Sequence, residues 1–184
     1  MSTFFSPALG ADRSLIVVRN RKQILEIFAS EWYGVLDDAR HRLEPKLQEL
    51  ARKWQVIPDC LVYDKAGVGR SFVSYPASHG YEGVVGYFGA GRGGRLYINR
   101  RTANAFALKR WLDPHRKGYV PFYCGGLPDW PQLREEIAEL RNPAMEMEQG
   151  QVKQVLEEKD ALAARLKRSP DLLDALLMTF TFFE

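Results

Sequence analysis

The run SPDLLDALLMTF, from Ser169 to Phe180, constrains the fold more than any other stretch of this chain. Its apolar residues recur at helical spacing, so Leu173, Leu176, Leu177 and Phe180 form a stripe that has to be buried against another layer. Asp171 and Asp174 lie three residues apart on the first turn and therefore share a face. Ser169 as N-cap and Pro170 at the first helical position would complete the helix start. An acid in that turn gains about 0.3 to 1 kcal/mol from the helix dipole. Capping accounts for one acid but not for a second that interrupts an apolar helix. The expected partner is a divalent metal shared with Asp64 in the middle of the chain, because hard cations prefer carboxylate oxygens.

The remaining sequence alternates between strand and helix periods. Leu15 to Val18 is a β-branched apolar run that predicts a buried strand, paired as a hairpin with Ile24 to Phe28 across a charged turn, Arg19 to Lys22. Ala39, Leu43, Leu47, Leu50, Ala51 and Trp54 then repeat at helical spacing, with Pro45 expected to kink or split that helix. Cys60 to Tyr63 reads as a short strand that ends at Asp64 and is followed by Gly67 and Gly69. In open α/β sheets the functional groups lie at the carboxyl ends of strands, which puts Asp64 at a site edge. Taken alone, Asp64 is equally open to a turn or N-cap role. AGVGRS lacks the third glycine of a dinucleotide fingerprint, and no phosphate loop ending in Gly-Lys-Ser or Gly-Lys-Thr is present, so a tight turn is expected there.

Val84 to Phe88 predicts another strand, GAGRGGR a flexible basic loop, and Asn99 to Trp111 a helix. Ala103, Phe106, Ala107, Arg110 and Trp111 would form that helix's packed face, leaving Arg100, Arg101 and Lys109 to solvent or phosphate. Leu133, Ile137 and Leu140 mark a short helix, Gln151 to Lys159 a strand or hairpin arm, and DALAARLKR a further short helix. The sum is a mixed α/β sheet of four to six strands that opens with antiparallel strands and carries helices on both faces.

Charge adds a candidate binding surface. The formal net charge is only +3, yet Arg92, Arg95, Arg100, Arg101, Lys109, Arg110, Arg116 and Lys117 have a single acid, Asp113, among them. That is a footprint for a phosphate backbone or, equally, a solvated basic face. Cys60 and Cys124 have no metal-ligand spacing, His115 has no partner nearby in sequence, and Cys60 is expected in the core. No run is long and apolar enough for a signal peptide or a membrane span, so a cytoplasmic protein without a membrane partner is expected. With 184 residues, one domain spanning 1–184 is the natural reading.

The order PALGADRS, YDKAGVG, YINRRTANAFALKRWL and LEEKDALAARLKRSPDLLDALLMTF resembles the C-terminal nuclease domain of the large terminase subunit of tailed bacteriophages. The resemblance covers almost the whole chain and implies a ribonuclease-H-like fold. It implies an endonuclease that cuts concatemeric viral DNA during genome packaging. By position, Asp64, Asp171 and Asp174 match the catalytic acids, which in such nucleases hold one or two Mg²⁺ or Mn²⁺ ions. Two ions about 4 Å apart activate the attacking water and stabilise the leaving oxygen. Arg92, Arg95, Arg100, Arg101, Lys109 and Arg110 would hold double-stranded DNA. Further partners implied are the terminase ATPase motor, the small terminase subunit and the portal; the motor's own motifs are not found in this chain.

One departure stands at a position that matters. Where the family has its first acid, before Pro-Ala, this chain has Ser6, and Asp12 is the nearby acid expected as an auxiliary ligand. An active metal-dependent endonuclease is therefore set against a catalytically impaired remnant acting as a DNA-binding or packaging-assembly module. A third reading is a junction-resolving or repair nuclease on the same fold.

Overall fold

In the computed structural model of the chain, residues 2–6, 14–30, 36–64, 85–117, 119, 126–142 and 144–182 are described. The run LIVV is the middle of a strand buried along its whole length, Leu15–Arg19 (β2). Alternation divides it between two cores: Leu15 and Val17 join one, Ile16 and Val18 the other. Around it the strands Ser2–Ser6 (β1), Ile24–Ala29 (β3), Leu61–Asp64 (β4) and Val85–Tyr87 (β5) form a five-stranded sheet ordered β3-β2-β1-β4-β5. The predicted hairpin is present as the antiparallel pair β2/β3, and β1 is antiparallel to β2. β1/β4 and β4/β5 are parallel.

Each face of this sheet is covered. The helix Leu36–Lys53 (α1) lays Leu43, Leu47, Leu50 and Ala51 on Ile16, Val18, Leu61 and Tyr63. On the opposite face lie Arg100–Leu112 (α2), Trp130–Glu139 (α3), Lys159–Leu166 (α4) and Asp171–Met178 (α5), which share a core with Leu15, Val17, Ile24, Ile27 and Val62. Leu172, Leu173, Ala175 and Leu176 of α5 are fully buried in it, as the apolar stripe requires.

Several expectations are corrected. Among the described residues there is a second, four-stranded sheet: Arg92–Gly93 (β6), Tyr97–Asn99 (β7), Ala144–Glu148 (β8) and Gln151–Val155 (β9), ordered β6-β7-β9-β8. GAGRGGR is thus part of a tight hairpin, not a free loop. A Cβ on Gly93 would lie 2.3 Å from the Asn99 carbonyl oxygen, so only glycine admits that pairing. Pro45 sits inside an unbroken α1, where burial of the leucines around it outweighs one lost backbone bond. Cys60 lies in a 3₁₀ turn, Pro58–Cys60, half-buried at the edge of the α1 core.

Arg19 is no turn residue. It closes β2, is 1% exposed, and stacks its guanidinium 3.7 Å from the centre of the Phe180 ring. Its Nη2 donates to the Thr179 carbonyl (3.1 Å) and its Nε to the Thr179 hydroxyl. Burial draws its pKa down to about 9, so it stays charged at neutral pH and pins the end of the C-terminal helix to the central sheet.

Candidate functional site

The acids meet because of strand parity. Along β4, Leu61 and Tyr63 enter the α1 core while Val62 enters the α5 core. Two residues beyond Val62, Asp64 therefore faces α5 at the strand's carboxyl end. Asp171 and Asp174 occupy the first turn of α5, and all three carboxylates line one cleft of about 440 Å³. The sheet places Asp64, and the buried leucines of α5 place the other two.

The start of α5 is built differently from the sequence expectation. Pro170 is the capping residue and offers no side-chain bond, while Ser169 donates its hydroxyl to the Asp171 carboxylate. The first-turn amide of Leu173, which has no partner within the helix, donates instead to Glu136 from α3, whose Oε2 accepts at 2.8 Å. Glu136 is fully buried; burial raises its pKa, against the lowering effect of hydrogen bonds from Gln132 and Leu173. A carboxylate from another helix thus does the capping that local sequence would assign to Ser169.

Two cations sit on the acid pair. Lys159, at the start of α4, donates to Asp174 Oδ2 (3.0 Å) and reaches Asp171 Oδ1 (3.4 Å). Burial works to lower the Lys159 pKa, but the two aspartates outweigh it and the net shift is upward, so the ammonium stays charged. Arg101 approaches from α2, its Nε 3.3 Å from Asp174 Oδ1 and its Nη1 2.7 Å from the Glu157 carbonyl. The loop ahead of α2 fixes that approach. The amides of Arg100 and Arg101 donate to the carbonyls of Gly91 (2.7 Å) and Gly89 (3.0 Å), and Asn99 Oδ1 caps the Thr102 amide at 2.8 Å. Arg101 is therefore a partner of the acids rather than the solvent-facing phosphate contact expected from sequence.

Tyr87 completes the wall. It pairs with Asp64 across the parallel β4/β5 ladder and is 5% exposed. Its hydroxyl is buried without a hydrogen-bond partner among the described residues, as is Arg101 Nη2. Burial pushes the phenol pKa far up, and the charges of Asp174 and Asp64 add to that, so the group remains a donor at any ordinary pH.

The donor set suits a hard divalent cation: three carboxylates on one cleft, with a lysine ammonium bridging two of them as a stand-in charge. In this geometry no three Asp, Glu, His or Cys side chains among the described residues converge closely enough to hold an ion. Ion binding would therefore require the Lys159 and Arg101 contacts to open. Ser6 follows Phe5, whose backbone pairs with Tyr63, so β1 ends at the register position beside Asp64. Asp12 lies outside the described residues.

The basic residues divide into two groups. Arg92 and Arg95 are exposed and line a second cleft of about 480 Å³ with Lys153, and Ala90 borders both this cleft and the acidic one. Lys109 and Arg110 are exposed at the far end of α2, roughly 12 Å along the helix from Arg101 at 1.5 Å per residue. Arg110 donates to the Tyr97 hydroxyl at 3.0 Å. Arg100 is half-buried at the start of α2. Lys159, Tyr87 and Glu136 were missed in the sequence. No local pattern marks them, because each acts through elements distant in the chain.

A central sheet that opens with antiparallel strands and continues in parallel ones, with helices on both faces, agrees with the expected ribonuclease-H-like fold. No protein-family model and no curated protein sequence matches the chain. Among solved structures, the nuclease domain of the large terminase subunit gp2 of bacterial virus Sf6 is similar in fold, with a TM-score of 0.67. Its identity is 16%, over 97% of this chain and 86% of that one. A lysine-to-alanine mutant of that domain, solved with manganese and β-thujaplicinol, gives a TM-score of 0.69 at the same identity and coverage, and one with calcium gives 0.68. The chain has the fold of the terminase nuclease domain.

Proposed function

We propose that this protein is a divalent-metal-dependent endonuclease of double-stranded DNA, with Asp64, Asp171 and Asp174 as its metal-holding and catalytic acids. The observation that carries this reading is that acids 107 and 110 residues apart share one cleft of a terminase-nuclease fold. Bound Mg²⁺ or Mn²⁺ would supply a nucleophilic water at neutral pH and charge neutralisation on the phosphate. The chain's own residues orient and balance. Asp64 is set by the β4 ladder, Asp171 and Asp174 by the buried α5 and its Glu136 cap, and Lys159 and Arg101 neutralise the acids until the cation takes over. Arg92 and Arg95, beside the acidic cleft, would hold the DNA backbone, a contact that is indifferent to sequence and sensitive to salt. The fold likeness further supports, as part of this proposal, a role in cutting concatemeric phage DNA alongside a packaging motor, small subunit and portal.

Ser6 favours a second reading, because it ends β1 beside Asp64 where an acid would complete the site. On that reading the chain binds DNA without cutting it. Plasmid cleavage in Mg²⁺ or Mn²⁺ by wild type, Asp64→Asn and Ser6→Asp separates the two. Cleavage by wild type that Asp64→Asn abolishes supports the nuclease. Cleavage only by Ser6→Asp supports the impaired form, and metal-independent cutting contradicts both.

A further inference from the structure

We propose that Tyr87 is a positioning residue for the metal site, whose hydroxyl donates a hydrogen bond to the Asp174 carboxylate when a divalent cation displaces Lys159 and Arg101. This rests on the metal-dependent reading above and identifies a residue outside its set of acids.

Folded proteins rarely leave a buried hydroxyl without a partner, and such a group calls for a reason. The Tyr87 hydroxyl is in that condition, in a side chain that lines the acidic cleft. It is not a displaced surface group. Its ring belongs to the core shared with α5, and its backbone is locked to Asp64 in the β4/β5 ladder. Asp174 lines the same cleft, and its charge, together with burial, raises the phenol pKa. The Asp174 oxygens are at present taken by Arg101 Nε at 3.3 Å and Lys159 Nζ at 3.0 Å. A carboxylate that turns toward a cation gives up those contacts, and metal-bound carboxylates are themselves held by outer hydrogen bonds. The phenol supplies that bond as a neutral donor. It stabilises the ligand's orientation without the positive charge that makes Lys159 and Arg101 compete with the ion.

The test is Tyr87→Phe, which keeps the ring in the core and removes only the hydroxyl. Titration calorimetry with MnCl₂ on wild type and variant, without DNA, gives the affinity; melting in EDTA reports the metal-free fold. The expected result is Mn²⁺ affinity lowered by about tenfold, the lower end for loss of an outer-shell partner, with metal-free melting unchanged or raised because the hydroxyl has no bond to lose. Equal Mn²⁺ affinity in both proteins overturns the inference while leaving the metal reading intact. A lowered melting temperature in EDTA also overturns it, since the hydroxyl would then have a partner without metal. Absence of Mn²⁺ binding by the wild type overturns the metal reading itself, and this inference with it.

Discussion

Removing the Lys159 ammonium should make the protein less stable without metal and more responsive to it. At 3.0 Å from Asp174, an ion pair in a medium of effective dielectric near 20 has a bare Coulomb energy of roughly 5 kcal/mol. That figure overstates the contribution, because the Lys159 side chain is 42% exposed and exposed pairs measure about 0.2 to 1 kcal/mol each. The contacts to Asp174 and Asp171 together therefore contribute about 1 kcal/mol. In Lys159→Ala, loss of that energy lowers the metal-free melting temperature by about 2 to 4 °C for a chain of this length. The same ammonium opposes cation entry, so its removal should tighten Mn²⁺ binding by about fivefold, the equivalent of 1 kcal/mol. Differential scanning fluorimetry in EDTA and across a Mn²⁺ series reads both effects in one experiment. A lower metal-free melting temperature with unchanged or weaker Mn²⁺ affinity would refute the idea that Lys159 holds the acids in place of the metal.

Other consequences follow from the ion pairs and the basic cleft. Burial raises the Glu157 pKa, but hydrogen bonds from Arg165 (2.6 and 2.7 Å) and from the Arg141 amide (2.7 Å) outweigh it, leaving the net value below the ordinary 4.5. A carboxylate whose folded pKa is depressed contributes stability above its unfolded pKa and loses it as pH falls through the folded value. Wild type should thus melt higher than Glu157→Gln at neutral pH, with the gap shrinking below pH 4.5; a gap independent of pH would show that the ion pair contributes nothing. Arg92→Ala and Arg95→Ala should each weaken duplex binding regardless of sequence and reduce the slope of log affinity against log salt by about 1. A slope unchanged in both variants would place the duplex elsewhere.

Much of the sheet was legible because its signals are local. Leu15 to Val18 and Ile24 to Phe28 carry strand patterns, the leucines of α5 show their period, and Asp64 stands at a strand's end. Alternation along β4 then fixes which face Asp64 shares with α5. What stayed hidden depends on long-range placement. Arg19 reads as a turn charge until Phe180 and Thr179, at the other end of the chain, are seen to enclose it. Ser169-Pro170 has the composition of a helix start, but the cap comes from Glu136, 37 residues away. Arg101 lies on the side of α2 that a reading based on Phe106 and Arg110 left to solvent. Burial falls on Thr102, Asn104, Ala105 and Leu108 besides the expected Ala103 and Trp111, since the C-terminal helix packs against α2. β8 was missed because Ala144 to Glu148 alternates methionine with glutamate and leaves Met145 and Met147 exposed, so no buried face announces it.

Asp64, Asp171 and Asp174 are proposed to hold a divalent ion between the sheet and the last helix. A crystal grown or soaked with MnCl₂ and measured near the manganese absorption edge tests it directly. The expected result is an anomalous peak in the cleft within about 2.0 to 2.3 Å of oxygens from Asp64 and from at least one of the α5 aspartates, typical of a hard divalent cation on carboxylates, with Lys159 turned away. Well-ordered protein in the same crystal with no peak there, and with Lys159 still bridging Asp171 and Asp174, would contradict it.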